Sequence, residues 1–399
     1  MPTADFSEQA MAPPRKPEIT EKQLQGFKYF KLLGGLLERL HAEGTQRDRA
    51  HNRKLFFDQY AVLVLLFFFN PIITSLRAIQ RASTLQKVQE KLRCGRVSLG
   101  SLSEAAGVFD AASLQKIIGE LGGLVPPPAV AQEHEALRAL TAVDGSLLPA
   151  LPRMAWALWV DEKHRAAKMH LAFEVLRGIP VQVTVTEGNG SEKKQLRAML
   201  EAGRLYVIDR GYAEYELFQE ISDARSSFIG RIRDNAVWKV RAERPVTEKA
   251  RAAGVRRDLV VWLGSEKSAK ALKQPVRIVE VVTGKTDSRG EPEVLLLATD
   301  RMDLDAELVA LGYRFRWSVE LFFRWFKCIL GCRHLLSDHQ NGVEIQVYLA
   351  IIASLLISLC TGRKPTKATW EMMRFYFIGW ATEEELLEHI ETLKMYSQK

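Results

Sequence analysis

The chain has 399 residues, enough for two or three domains, with 47% hydrophobic and 26% charged side chains. That balance excludes an intrinsically disordered or collagen-like chain. With 56 Lys and Arg against 48 Asp and Glu, the formal charge of +8 favours a polyanionic partner or an acidic membrane surface and does not choose between them.

Residues 1–18 are Pro-rich and polar and read as a loose tail, with no apolar core of a signal peptide. Residues 19–128 read as a helical, basic domain. Phe27, Phe30, Leu33, Leu36 and Leu37 recur at helical spacing, with Lys28, Lys31, Arg39, Arg47, Arg49, Arg53 and Lys54 between them. Ser101 and Asp110 look like helix starts, and the prolines after Val125 break the chain. The apolar run Ala61–Phe69 is too short to cross a bilayer, and Val347–Cys360 falls short of the roughly 20 residues a spanning helix needs. Both are expected as core helices, with no membrane partner. Cys94, Cys328, Cys332 and Cys360 lack the ligand company of a zinc site and read as reduced thiols of a cytoplasmic protein.

From 136 to 233 the pattern becomes α/β. Leu140 to Asp144 is a short apolar strand ending on a carboxylate, followed by a Gly145-Ser146 turn. Paired strands over 169–175 and 180–186 follow, joined at Arg177-Gly178. Ser191 caps a helix, and Leu205 to Ile208 is a buried strand ending at Asp209. Residues 234–291 read as a basic β-rich insertion with strands over 258–263 and 275–282, and with Arg251, Arg256, Arg257, Lys267, Lys270 and Lys273 in its connections. The α/β pattern resumes over 292–362, where a single helix is expected from about Asp305 to Leu330. Residues 363–399 form a C-terminal helical region.

Asp144 and Asp209 share a context: each is the first polar residue after an apolar strand, with a glycine one or two residues on. Adjacent strands would bring the two carboxylates together, and a divalent cation would remove their repulsion. Ordinary turn chemistry is the other reading of either aspartate alone. On the expected helix, Tyr313, Arg316, Glu320 and Lys327 lie within roughly 60° of one another at about 100° per residue. The acid on that stripe can complete a metal site while Arg316 and Lys327 reach phosphates. The alternative is an ion-pair ladder in which Glu320 bonds Arg316 or Arg324. No pair of histidines has the spacing of metal ligands, and His170 could meet a phosphate.

Tyr313-x2-Arg316-x3-Glu320-x6-Lys327 resembles the Tyr-Arg-Glu-Lys motif of IS4-type insertion-sequence transposases. Asp144-Gly-Ser, Asp209-Arg-Gly-Tyr and Lys168-Met-His170 are similar to other segments of that family, and the likeness runs from about Thr141 to Cys360. It implies a ribonuclease-H-like catalytic domain with a β-rich insertion, preceded by an all-helical DNA-binding domain. It implies that Asp144, Asp209 and Glu320 are catalytic and hold two Mg2+ ions, with Mn2+ as substitute, for in-line phosphodiester displacement. Tyr313, Arg316 and Lys327 would hold DNA phosphates, with Arg210, Tyr212 and His170 as further contacts. Trp238 or Trp262 would stack a flipped base, although a tryptophan packed within the insertion is the plainer reading of each. The implied function is cut-and-paste transposition. Its partners would be double-stranded DNA, as terminal inverted repeats and target, and a second copy in a synaptic homodimer, all in the bacterial cytoplasm. A nuclease of the same fold, an inactive DNA-binding regulator and a two-carboxylate glycosidase are the competing readings.

Overall fold

In the computed structural model the described residues are 28–41, 53–126, 132–150, 153–159, 164–264, 272–286, 290–328, 331, 334–362 and 364–397. The expected tail at 1–18, Arg47, Arg49, Lys267, Lys270 and Cys332 lie outside them.

Among the described residues, six α-helices precede the first strand: α1 (Lys28–Glu38), α2 (Phe57–Phe69), α3 (Leu76–Ala82), α4 (Gln86–Leu92), α5 (Leu99–Val108) and α6 (Ala112–Leu124). Helix α5 begins earlier than the sequence suggests. Its cap is Ser98, whose hydroxyl accepts the Ser101 N–H at 3.0 Å, so Ser101 lies inside the first turn. Helices α1, α2, α5 and α6 pack on α12 (Gln340–Thr361), which also meets the sheet. At 22 residues α12 is longer than expected, and by length and composition it could cross a membrane. Its apolar window is 94% buried by the rest of the chain, which makes it the central core helix. Asn341 ties its start to α5, donating to the carbonyls of Ala106 and Phe109 at 2.7 Å each. The expected break after residue 125 is therefore not a break in the core: α6 packs on α12, and one hydrophobic cluster runs from Leu33 to Ile390.

The strands are β1 (Leu140–Pro149), β2 (Ala166–Glu174), β3 (Ile179–Glu187), β4 (Leu205–Ile208), β5 (Ser227–Arg231), β6 (Trp238–Glu243), β7 (Val255–Leu263), β8 (Val276–Thr286) and β9 (Pro292–Thr299). They form one mixed sheet in the order β3-β2-β1-β4-β5-β9-β8-β7-β6, with β1, β4 and β5 parallel to one another. Period-two alternation sorts the side chains between two faces. In β4, Leu205 and Val207 join the cluster around α12, while Tyr206 and Ile208 point to the cluster formed with α7 (Glu192–Ala198) and α8 (Tyr215–Asp223).

Two expectations change at this level. The residues expected as a β-rich insertion, β6 to β8 with the short helix α9 (Glu248–Ala252), extend the central sheet through β9, on which β8 pairs without interruption from Arg277 to Val282 before the register shifts. The helix expected over 305–330 is two, α10 (Ala306–Phe315) and α11 (Trp317–Cys328). They part at Arg316, whose N–H bonds the Tyr313 carbonyl at 3.1 Å and whose carbonyl accepts from Val319 at 3.2 Å, both tighter i to i+3 turns. After α12 the chain closes with α13 (Lys367–Ile378) and α14 (Glu383–Ser397).

Candidate active site

The parallel register of β1 and β4 pairs Leu140 with Leu205 and Ala142 with Val207. Carried two residues further, it sets Asp144 level with Asp209 on strands about 4.8 Å apart. Strand β4 stops there, whereas β1 continues to Pro149 on β2, with Asp144 opposite Leu171. Asp144 is therefore within its strand, and Gly145-Ser146 is not a turn. It sits two residues past the last β1–β4 pair, Ala142 with Val207.

Asp144 Oδ1 accepts the N–H of Gly145 at 2.8 Å, and Asp209 Oδ1 accepts that of Gly211 at 2.7 Å, capping a single 3-10 turn over Arg210–Tyr212. Burial pushes the Asp144 carboxyl up to about 6. The Gly145 N–H and Arg316 pull it down, and the charges of Asp209 and Glu192 push it up again.

Helix α11 packs on β1 and brings Glu320 to the same edge. Arg316 donates to Glu320 Oε1 at 2.7 Å, and its other terminal nitrogen lies 3.8 Å from Asp144 Oδ2. The guanidinium thus bridges the two acids, so the ion-pair alternative holds for Arg316. It faces carboxylates, not outward to phosphate as expected. Tyr313 stands behind it, half-buried, with the guanidinium carbon 6.0 Å from its ring centroid. Lys327 lies one cleft wall away, as the helical stripe requires. Asp144, Gly145, Ser146, Glu320, Phe323, Arg324, Lys327 and Cys328 line an open cleft of 310 Å³. A second cleft of 670 Å³ lies against Asp209 and is lined by Arg210, Gly211, Arg233, Asp234 and Asn235.

Three expected contacts fall elsewhere. Tyr212 is buried, so its phenol cannot reach a DNA surface, and among the described residues its hydroxyl has no hydrogen-bond partner. His170 points into the sheet's interior from β2, its Nε2 2.9 Å from the Thr186 hydroxyl, and so cannot meet a phosphate. Trp238 packs against the sheet's second hydrophobic cluster, which leaves Trp262, 37% exposed on β7, as the more exposed of the two candidates. Arg210 stays exposed, 3.6 Å from Asp234.

Burial and the Lys168 charge lower His170 to about 4, so the folded ring stays neutral. The unfolded chain takes up that proton near 6.5, so stability is lost as the pH falls from there through 4. Imidazole resonances followed by NMR should show no titration of His170 from about pH 8 to about pH 5. A midpoint near the free value would place the ring in contact with solvent.

The sequence pattern missed Glu192. As first residue of α7 it reads as ordinary N-terminal helix chemistry, with Ser191 capping Lys194 N–H at 3.3 Å. Only the folded sheet shows that this turn opens beside Asp144 and Asp209. Among the described residues, no group of three or more His, Cys, Asp or Glu side chains is placed to hold a metal ion. The acids share an edge without closing around one point.

Residues 135–356 match the family described as Transposase DDE domain. The chain is 28% identical over 263 residues to a Sinorhizobium fredii protein named as transposase y4zB, covering 65% of this chain and 71% of that one. It is 25% identical over 206 residues to a Geobacillus stearothermophilus protein named as the transposase of insertion sequence element IS5377, covering 51% and 52%. Among solved structures it is similar to piggyBac transposase in a synaptic complex with hairpin DNA, at 14% identity and a TM-score of 0.42, covering 94% of this chain and 84% of that one. Because the matched domain spans more than half of its length, the chain belongs to the transposases that carry the DDE domain.

Proposed function

We propose that this DNA transposase binds the terminal inverted repeats of its own element, cuts at their boundary and joins the freed 3′ end to target DNA. The observation that carries this reading is the meeting of Asp144 and Asp209 where β1 loses β4, with Glu320 tied to Asp144 through Arg316. Strand order β3-β2-β1-β4-β5 supports a ribonuclease-H-like catalytic sheet, which β9 to β6 then lengthen.

Transposases with this domain generally use divalent metal ions. In this chain Asp144, Asp209 and Glu320 would hold them, as two magnesium ions or manganese in their place. The donor chemistry fits: carboxylate oxygens suit a hard cation, and Asp144 is crowded by Asp209 and Glu192, a repulsion that such a cation relieves. Bound cations supply counter-charge to an in-line displacement at phosphorus.

The protein's own groups do the rest. Arg316 and Tyr313 hold Glu320 and Asp144 in place. Lys327 and Arg324 line the cleft beside them and take the adjacent phosphates, and Arg210 and Arg233 take those beyond Asp209. Trp262 offers its exposed face to an unstacked base. Two copies would pair two ends in a homodimeric synaptic complex in the bacterial cytoplasm.

The direct test is cleavage of a labelled duplex bearing the element's terminal repeat, with magnesium, with EDTA, and with Glu320→Gln. Magnesium-dependent cuts at the repeat boundary are expected, absent in EDTA and absent in the variant while duplex binding persists. Cutting without joining to target DNA would make the chain a nuclease. Binding without cutting in any divalent metal would leave a regulator.

A further inference from the structure

We propose that Asp234 is a specificity-determining residue for DNA binding. It holds Arg210 across the Asp209 cleft in the place of a backbone phosphate, so that a duplex enters there only by displacing it. The inference rests on reading the chain as one that binds the ends of its own element, and it deepens that reading.

The cleft lies at the carboxyl ends of two parallel strands. Strand β4 pairs with β5 as far as Ile208 with Gly230; Asp209 and Arg210 then line one wall, and Arg233, Asp234 and Asn235 line the other. Ligands of open α/β sheets collect at such ends. Both walls are held in place. Asp209 Oδ1 fixes the turn that carries Arg210 by taking the Gly211 N–H at 2.7 Å. Opposite, the Ala236 N–H bonds the Arg233 carbonyl at 3.0 Å, and the buried Ile232 before it donates to the Leu296 carbonyl at 2.9 Å. Asp234 therefore stands on a fixed turn facing a fixed arginine.

Arg210 and Arg233 meet Asp209 and Asp234 in this space. Their formal charges cancel, so the roomier of the two clefts exerts no net pull on a polyanion. Displacing Asp234 leaves the cleft positive. The displacement is within reach of DNA. Arg210 Nη1 and Asp234 Oδ2 are 3.6 Å apart on side chains 54% and 64% exposed, and a pair so open to water gains little. A phosphate offers the same guanidinium two oxygens in a forked contact. DNA that touches the site loosely does not overcome the acid, whereas an end held by many other contacts does. Aspartate is also an ordinary turn residue. Among the described residues, however, its carboxylate pairs with Arg210 and takes no N–H of its own turn.

The test is binding of a labelled duplex in EDTA, read as fluorescence anisotropy across a salt series, with random sequence and with the terminal repeat. Asparagine suits the turn equally well, so Asp234→Asn removes the charge alone. It should tighten the random duplex about 3–10-fold and steepen the slope of log affinity against log salt by about one, as one more phosphate contact does. The terminal repeat should gain less, so discrimination falls. Added to Arg210→Gln, the same change should gain less than ~2-fold, because the acid acts through that arginine. An equal gain with and without Arg210 would make Asp234 a diffuse repulsive charge and overturn the proposal, as would equal gains for the two duplexes. Unchanged binding in Asp234→Asn would leave it a turn residue only. If the unaltered chain shows no preference for the terminal repeat, the reading of it as a binder of its own ends falls. The random-duplex comparison with Arg210→Gln still decides then whether Asp234 keeps Arg210 from phosphate.

Discussion

Asp144→Asn is expected to make the protein harder to unfold at neutral pH while it abolishes strand cleavage. In the folded chain burial holds the Asp144 carboxyl up at about 6, against an ordinary value of 3.8. A raised carboxyl means that the folded state binds the proton more tightly than the unfolded one. Its contribution to stability is therefore full below about 3.8 and lost as the pH rises through about 6. At pH 7.5 the ionised group is a net penalty, worth roughly 1–3 kcal/mol for a shift of this size. The asparagine keeps the shape and the oxygen facing Gly145 but carries no charge, so the penalty disappears. Urea unfolding at pH 7.5 should show the gain, and at about pH 4 the gain should shrink because the aspartate is then protonated in the folded chain. Cleavage should fall at least ~10³-fold, because a neutral amide is a poor partner for a divalent cation and the counter-charge at phosphorus is worth several kcal/mol. A variant less stable than the unaltered chain at pH 7.5 would show that the 3.8 Å pair with Arg316 outweighs burial. Stability stored against function in this way is what a binding site for a cation requires.

The parts of the site that lie close in sequence were legible, and the parts built by the sheet were not. Asp144 and Asp209 could be singled out because each follows an apolar run, although only Asp209 stands past the end of its strand and Asp144 lies within β1. The spacing of Tyr313, Glu320 and Lys327 survives the helix break at Arg316, because that residue keeps helical φ and ψ of −50° and −35°. Glu192 was invisible, since its neighbours in space, Gly145 and Gly211, are separated from it by whole strands. Burial was the other blind spot. Nothing local distinguishes His170 or Tyr212 from exposed relatives of the same type, yet alternation along β2 and the turn after β4 place both inside. Arg316 was expected to face phosphate and instead meets Glu320 and Asp144: a helical wheel gives direction about an axis, but not the acids that another element brings to meet it. The insertion was read as separate because turns and charges interrupt it, whereas pairing of β8 with β9 over Arg277 to Val282 decides that it belongs to the main sheet.

That extension is fastened by a buried ion pair, and removing one half of it should destabilise the protein strongly. Arg277 on β8 and Asp258 on β7 are 1% and 3% exposed. They are diagonal neighbours on one face, since Val260, two residues on from Asp258, stands opposite Arg277. The contact is a two-pronged one: Nε to Oδ1 at 2.7 Å and Nη2 to Oδ2 at 2.6 Å. The remaining nitrogen donates to the carbonyls of Arg301, at 3.3 Å, and Leu304. Those carbonyls belong to the connection from β9 to α10, the helix that carries Tyr313 and leads into Arg316. One guanidinium therefore fastens the added strands to the segment that aims the site's acid. Arg277→Met leaves two carbonyls without their donor and the buried Asp258 carboxylate with only Arg244, 3.8 Å away, a loss of about 3–5 kcal/mol. Asp258→Asn leaves the guanidinium uncompensated and should cost a similar amount. Changing both at once, to Asp258→Leu with Arg277→Met, should recover a good part of the loss, because two well-packed apolar groups can replace a buried pair at little cost. Urea unfolding of Arg277→Met, of Asp258→Leu alone and of the double variant closes the cycle and measures the coupling directly. A deficit below about 1 kcal/mol in Arg277→Met would show that water enters this face of the sheet, and that β7 and β8 are held to the core by their ladder alone.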